Sequence, residues 1–141
     1  MRKCLIGLIV LLGILTLGTR AFTQEEASPV PEVPVKDMVT MVDIGADKCI
    51  PCRLMAPILR SLRQEYQGKA AILFIDIWKQ PEQAKKFSIR SIPTQIFYDR
   101  EGKEIYRHEG FFGKDSILAV LKRAGVTVAG STEPEDASGR N

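Results

Sequence analysis

Three short apolar runs, set between stretches of helical pattern, constrain this chain more than any other feature. MVTMVDIGA (Met38 to Ala46) and AAILFIDI (Ala70 to Ile77) are too short for buried helices and rich in β-branched residues, which predicts strands. The second has no polar alternation and is expected to be buried on both faces. From about Cys52 to Tyr66, Leu54, Ile58 and Leu62 recur every four residues with Met55 and Leu59 alongside, an amphipathic helix that Pro57 should kink. Gln80 to Phe87 reads as a short helix opened by Pro81. SIPTQIFYD (Ser91 to Asp99) is a third strand after Pro93, Arg100-Glu101-Gly102 a hairpin turn, and Lys103 to Glu109 the returning strand. Lys114 to Ala124 closes the pattern as a helix, with Ile117, Leu118, Leu121 and Ala124 on one side and Gly125 as its stop. The series β-α-β-α-β-β-α predicts an α/β fold: a mixed sheet of about four strands, parallel where helices intervene, antiparallel at the hairpin edge, with helices on both faces.

The two ends of the 141-residue chain have a different composition. Arg2 and Lys3 precede a 14-residue apolar run, Leu5 to Gly18, and Thr19-Arg20-Ala21 places small residues where a signal peptidase cuts. Residues 1–21 therefore read as an export signal, with an uncleaved anchor as the alternative, although the run is shorter than a typical spanning helix of roughly 20 residues. Cys4 precedes the apolar run, so it is expected to leave with the signal. Residues 22–36 hold three prolines and several charges and read as a linker. Residues 127–141, rich in Gly, Ser, Glu and Asp, read as a disordered tail. The compact domain is then residues 37–126. Three of the 20 basic residues lie in the first 21, which contain no acid, so the remainder carries 17 basic against 17 acidic groups. That balance gives no electrostatic case for nucleic acid or an anionic membrane as the main partner; membrane contact is expected only if the N-terminal segment is retained.

The chemistry centres on Cys49-Ile50-Pro51-Cys52. A zinc site needs about four ligands, and beyond this pair the exported chain offers one histidine, His108. Covalent haem attachment needs His directly after the second Cys, where Arg53 stands. A structural disulfide closing so small a ring removes little unfolded-state entropy. Once the signal is gone, any intramolecular disulfide must join Cys49 to Cys52, and outside the cytoplasm disulfides persist. A redox role fits the surroundings. The pair falls where a strand ends and a helix begins, so unpaired N–H groups and Lys48 favour a thiolate at Cys49, while Cys52 lies one turn in.

CIPCRLMAPIL with the strand MVDIGA before it resembles the active-site region of thioredoxins, and FSIRSIPTQIFYDREGKEIYRHEG resembles their cis-proline loop and terminal hairpin. The resemblance covers about Met38 to Ala124 and implies a thioredoxin-like fold. It implies that Cys49 is the nucleophile and Cys52 the resolving thiol. It implies that Pro93 is a cis-proline whose neighbour Ile92 offers backbone to an extended substrate, and that Gly110 lets that backbone approach. Asp43 corresponds to a buried acid beneath the resolving cysteine. Lys48, Ile50 and Pro51 would border the bound substrate. The competing readings are a solvent-facing Asp43 and an ordinary trans Pro93. His108 is expected to be an exposed hairpin residue, and Trp78 receives no role.

The chain departs from the family at four points. Lys48 stands where thioredoxins commonly have Trp, Ile50 where Gly is common, and Phe74 where a lysine usually neighbours the buried acid, which should make Asp43 harder to ionise. The N-terminal strand-helix unit is expected to be reduced or absent. The reading is an exported, periplasmic thiol–disulfide oxidoreductase without cofactor or metal, and monomeric. It would reduce disulfide-containing client proteins with electrons from a membrane thiol carrier. A disulfide-donating oxidase and a non-catalytic binding module are the alternatives. Related dithiols span roughly −270 to −120 mV, so sequence does not fix the direction of electron flow.

Overall fold

The computed structural model describes residues 30–128. The expected signal, the start of the proline-rich stretch and the tail from residue 129 lie outside the described residues. The elements are β1 (Thr40–Gly45), α1 (Ile50–Glu65), β2 (Ala71–Asp76), α2 (Glu82–Lys86), β3 (Thr94–Tyr98), β4 (Glu104–Glu109) and α3 (Lys114–Arg123). They form one four-stranded sheet in the order β2-β1-β3-β4. β1 runs parallel to β2 and antiparallel to β3, and β3 and β4 form the expected hairpin.

Period-2 alternation divides β1 between two cores. Met41 joins Ile72 and Phe97 under Met55, Leu59 and Leu62 of α1 and Ile117 and Leu121 of α3. Val42 and Ile44 join Ile75, Ile96 and Tyr98 on the opposite face, covered by Phe87 at the end of α2. The position of β1 in mid-sheet explains why each of its residues is buried.

Several expectations are corrected. β3 follows a helix yet lies antiparallel to β1. The connection contains only the five-residue α2 and delivers the chain to the far side of β1, away from β2. β2 is an edge strand with Leu73 and Phe74 half-buried, because among the described residues no strand precedes β1 to cover it. Leu54 is 58% exposed. The inward stripe of α1 is Cys52, Met55, Leu59 and Leu62, and on a 3.6-residue period Leu54 is turned about 100° from Met55. The proline-rich stretch ends inside the domain, since Val33 is buried against the second core. His108 is half-buried and stacks on Phe112 with ring centroids 4.3 Å apart.

Candidate active site

Cys49 ends the loop leaving β1. Its N–H donates to Ala46 O at 3.1 Å, and its extended backbone makes it the N-cap of α1. The Cys52 N–H donates to Cys49 Sγ at 3.4 Å. Pro51, in the first turn, has no N–H to leave unsatisfied, and no acid occupies that turn to offset the positive end of the helix. Cys49 and Cys52 are joined by a disulfide with their Cα atoms 5.2 Å apart. The two sulfurs differ in access: Cys49 is half-buried and Cys52 is buried. Lys48 and Pro51 are exposed beside them, and Ile50 is 75% exposed.

The floor of the site comes from β1. A Cβ on Gly45 would lie 3.1 Å from Cys52 Sγ and 3.2 Å from the Phe74 ring, so only glycine lets α1 sit this close to the strand. Asp43, two residues back on the same face, is 0% exposed. Its register partners are Phe74 on β2 and Gln95 on β3. Gln95, also 0% exposed, donates from Nε2 to Asp43 Oδ1 at 2.7 Å. Burial pushes the Asp43 carboxyl up to about 6, against the opposing pull of the Gln95 hydrogen bond and the Arg63 charge. Where a cation would lower it further, this chain has the Phe74 ring.

The second loop reaches the same end of the sheet. The Ile92–Pro93 peptide is cis, and Thr94 pairs with Ile44, one residue before Gly45. Pro93 is buried and Ile92 half-buried. Pro93 O accepts from Gly110 N at 2.7 Å. Gly110 has φ +99°, which by itself explains glycine, and the space where its Cβ would stand is open. Arg90 and Ser91 both bond Glu109 across the loop, at 2.7 and 2.8 Å.

Three residues of the site have no place in the sequence reading. Gly45 and Gln95 are two: Gly45 lies one pleat repeat beyond Asp43 on β1, and Gln95 meets Asp43 through the antiparallel register of β1 and β3. The third is Asp76, which accepts from Asp47 N at 3.0 Å, Trp78 N at 2.8 Å and Lys79 N at 3.3 Å. Burial raises its carboxyl, but these backbone bonds and Lys79 outweigh that and hold it below its usual value. Asp76 thereby ties the loop before Cys49 to the loop carrying Trp78, which is 59% exposed. Beside Cys52, a groove of about 250 Å³ is lined by Arg53, Arg60, Arg63 and Phe74 among others. Among the described residues no group of three or more His, Cys, Asp or Glu side chains is placed to hold a metal ion.

A half-accessible sulfur on a helix N-terminus, bonded to a buried one, is built for exchange with another disulfide, and a protein that does this is a thiol–disulfide oxidoreductase. The thioredoxin family model matches residues 22–123. A thioredoxin of Staphylococcus aureus (strain Mu50 / ATCC 700699) is 37% identical over 89 residues, covering 63% of this chain and 85% of the relative. A thioredoxin of Staphylococcus saprophyticus is 36% identical over the same length. The crystal structure of chloroplastic thioredoxin z matches with a TM-score of 0.57 at 26% identity, over 63% of this chain and 80% of that one. The chain belongs to the thioredoxin family, and its substrates contain disulfides.

Proposed function

We propose that this chain is exported and acts outside the cytoplasm, in a periplasm, as a reductant of protein disulfides. The observation that carries the reading is the unequal access of the two sulfurs, with the more accessible one on the helix N-terminus. Cys49 thiolate attacks a client disulfide, forming a Cys49–client bond and releasing one client thiolate. Asp43 carboxylate takes the Cys52 thiol proton, directly or through one water. Cys52 thiolate then attacks Cys49 Sγ, the Cys49–Cys52 disulfide forms, and the second client thiolate leaves. Two electrons pass to the client, and the thiols of a membrane carrier then reduce the Cys49–Cys52 disulfide and become oxidised themselves. Ile92 offers its backbone to an extended client segment beside Pro93 and Gly110, with Lys48, Ile50 and Pro51 on the opposite rim. Clients include oxidised extracytoplasmic proteins such as the haem-binding cysteines of apocytochromes. The residue pattern of the first 21 positions supports export, and the thioredoxin-type Pro51 supports the reducing direction.

Rapid acid quenching and alkylation of the native host reads the direction. A reductant is held mainly as the dithiol, whereas a pool held mainly as the disulfide contradicts this reading and favours an oxidase. N-terminal sequencing of the exported form should begin at Phe22. An intact Met1 would contradict cleavage and favour an anchor.

A further inference from the structure

Gln95 is the second residue of β3, TQIFY, and its side chain is sealed from solvent. A buried amide costs free energy unless it is used, and among the described residues its only side-chain hydrogen bond goes to Asp43. The two side chains belong to a row that crosses the sheet at one register: Phe74 on β2, Asp43 on β1, Gln95 on β3 and His108 on β4. Asp43 Oδ2 and Gln95 Oε1 are buried without a protein hydrogen-bond partner among the described residues. One carboxylate oxygen is therefore fixed by Gln95 and the other is left free, on the strand face that two residues later touches Cys52 through Gly45.

We infer that Gln95 is a positioning residue for the resolving step: it holds Asp43 by Oδ1, favours the carboxylate, and leaves Oδ2 as the atom that takes the Cys52 proton. This rests on the proposed role of Asp43 and adds a partner to it. The groups facing Asp43 are few. From β2 comes the uncharged Phe74 ring, from β3 the Gln95 amide, and from α1 the more distant charge of Arg63. His108 meets Gln95, not Asp43, and its Nε2 lies 3.2 Å from Phe111 O. Gln95 is thus the only side chain that hydrogen-bonds the carboxylate among the described residues. Its amide stabilises the charged form, in opposition to burial.

The test is Gln95→Leu, of nearly equal volume, with Gln95→Met as a second variant in case the first folds poorly. In the oxidised protein neither cysteine titrates, so carbon-13 NMR of the Asp43 carboxyl reads its midpoint alone. Loss of the donor should raise that midpoint by about one pH unit. At pH 7 the ionised fraction then falls from about nine-tenths to about half, so Cys49–client mixed disulfide should resolve about two-fold more slowly. In an Asp43→Asn background the Gln95 substitution should have no further effect on resolution. An unchanged or lowered midpoint overturns the inference, as does a raised midpoint with unchanged resolution or an equal slowing in the Asp43→Asn background. The NMR midpoint does not depend on export or electron direction, so its failure is distinct from failure of the proposed function.

Discussion

Asp43→Asn should make the folded protein more stable at neutral pH while impairing it as an oxidoreductase. The Asp43 carboxyl titrates at about 6 in the folded protein against 3.8 as its unperturbed value. Below 3.8 it is protonated in both folded and unfolded chains and contributes nothing. Between the two values the unfolded chain releases the proton and the folded chain keeps it, so stability falls as pH rises. Above about 6 the penalty is constant. A gap of about two units corresponds to about 3 kcal/mol at 1.36 kcal/mol per unit. Full burial of the residue leaves no solvent to screen this. Asparagine keeps an oxygen for the Gln95 donor and removes the titration. Urea denaturation of the oxidised wild type and variant, every half unit from pH 3.5 to 8, measures the difference. The variant's advantage should be near zero at pH 3.5, grow between about 4 and 6, and level off at up to about 3 kcal/mol. A difference that does not vary with pH would refute the buried-carboxylate account.

Gly45→Ala should destabilise the oxidised protein by about 1–3 kcal/mol, measured by urea denaturation, because the new methyl group meets Cys52 and Phe74. Asp76→Ala should expose the Asp47 and Trp78 amides to faster hydrogen exchange and cost about 1–3 kcal/mol, since their shared acceptor is removed. Leu62→Ala should cost about 2–5 kcal/mol, as for a fully buried leucine. Leu54→Ala should stay within about 0.5 kcal/mol because that side chain faces solvent.

The strands, the hairpin and the closing helix were legible because each has a local signature: a short β-branched run, a Gly-containing turn, a 3.6-residue stripe ended by Gly125. Leu54 was misplaced because two adjacent apolar stripes on α1 satisfy the same spacing, and only the sheet beneath decides which is buried. The direction of β3 and the edge position of β2 depend on where a connection lands, which periodicity does not encode. At the site, Cys49, Cys52, Pro93 and Asp43 stood out by residue type and by resemblance. Gly45 and Gln95 did not, because their significance is relational. Each matters through a neighbour on another element, Cys52 for one and Asp43 for the other. The one amide side chain inside TQIFY was the available signal for Gln95, much as the one carboxylate marked Asp43 in MVDIGA.

The most direct test of the central claim is capture by a Cys52→Ala variant. With the resolving sulfur gone, attack by Cys49 should stop at the mixed disulfide, and mass spectrometry of tryptic peptides should find client cysteines joined to Cys49. The adduct should disappear in Cys49→Ser. Absence of any Cys49-linked client, or full disulfide-reducing activity in Cys49→Ser, would contradict the account.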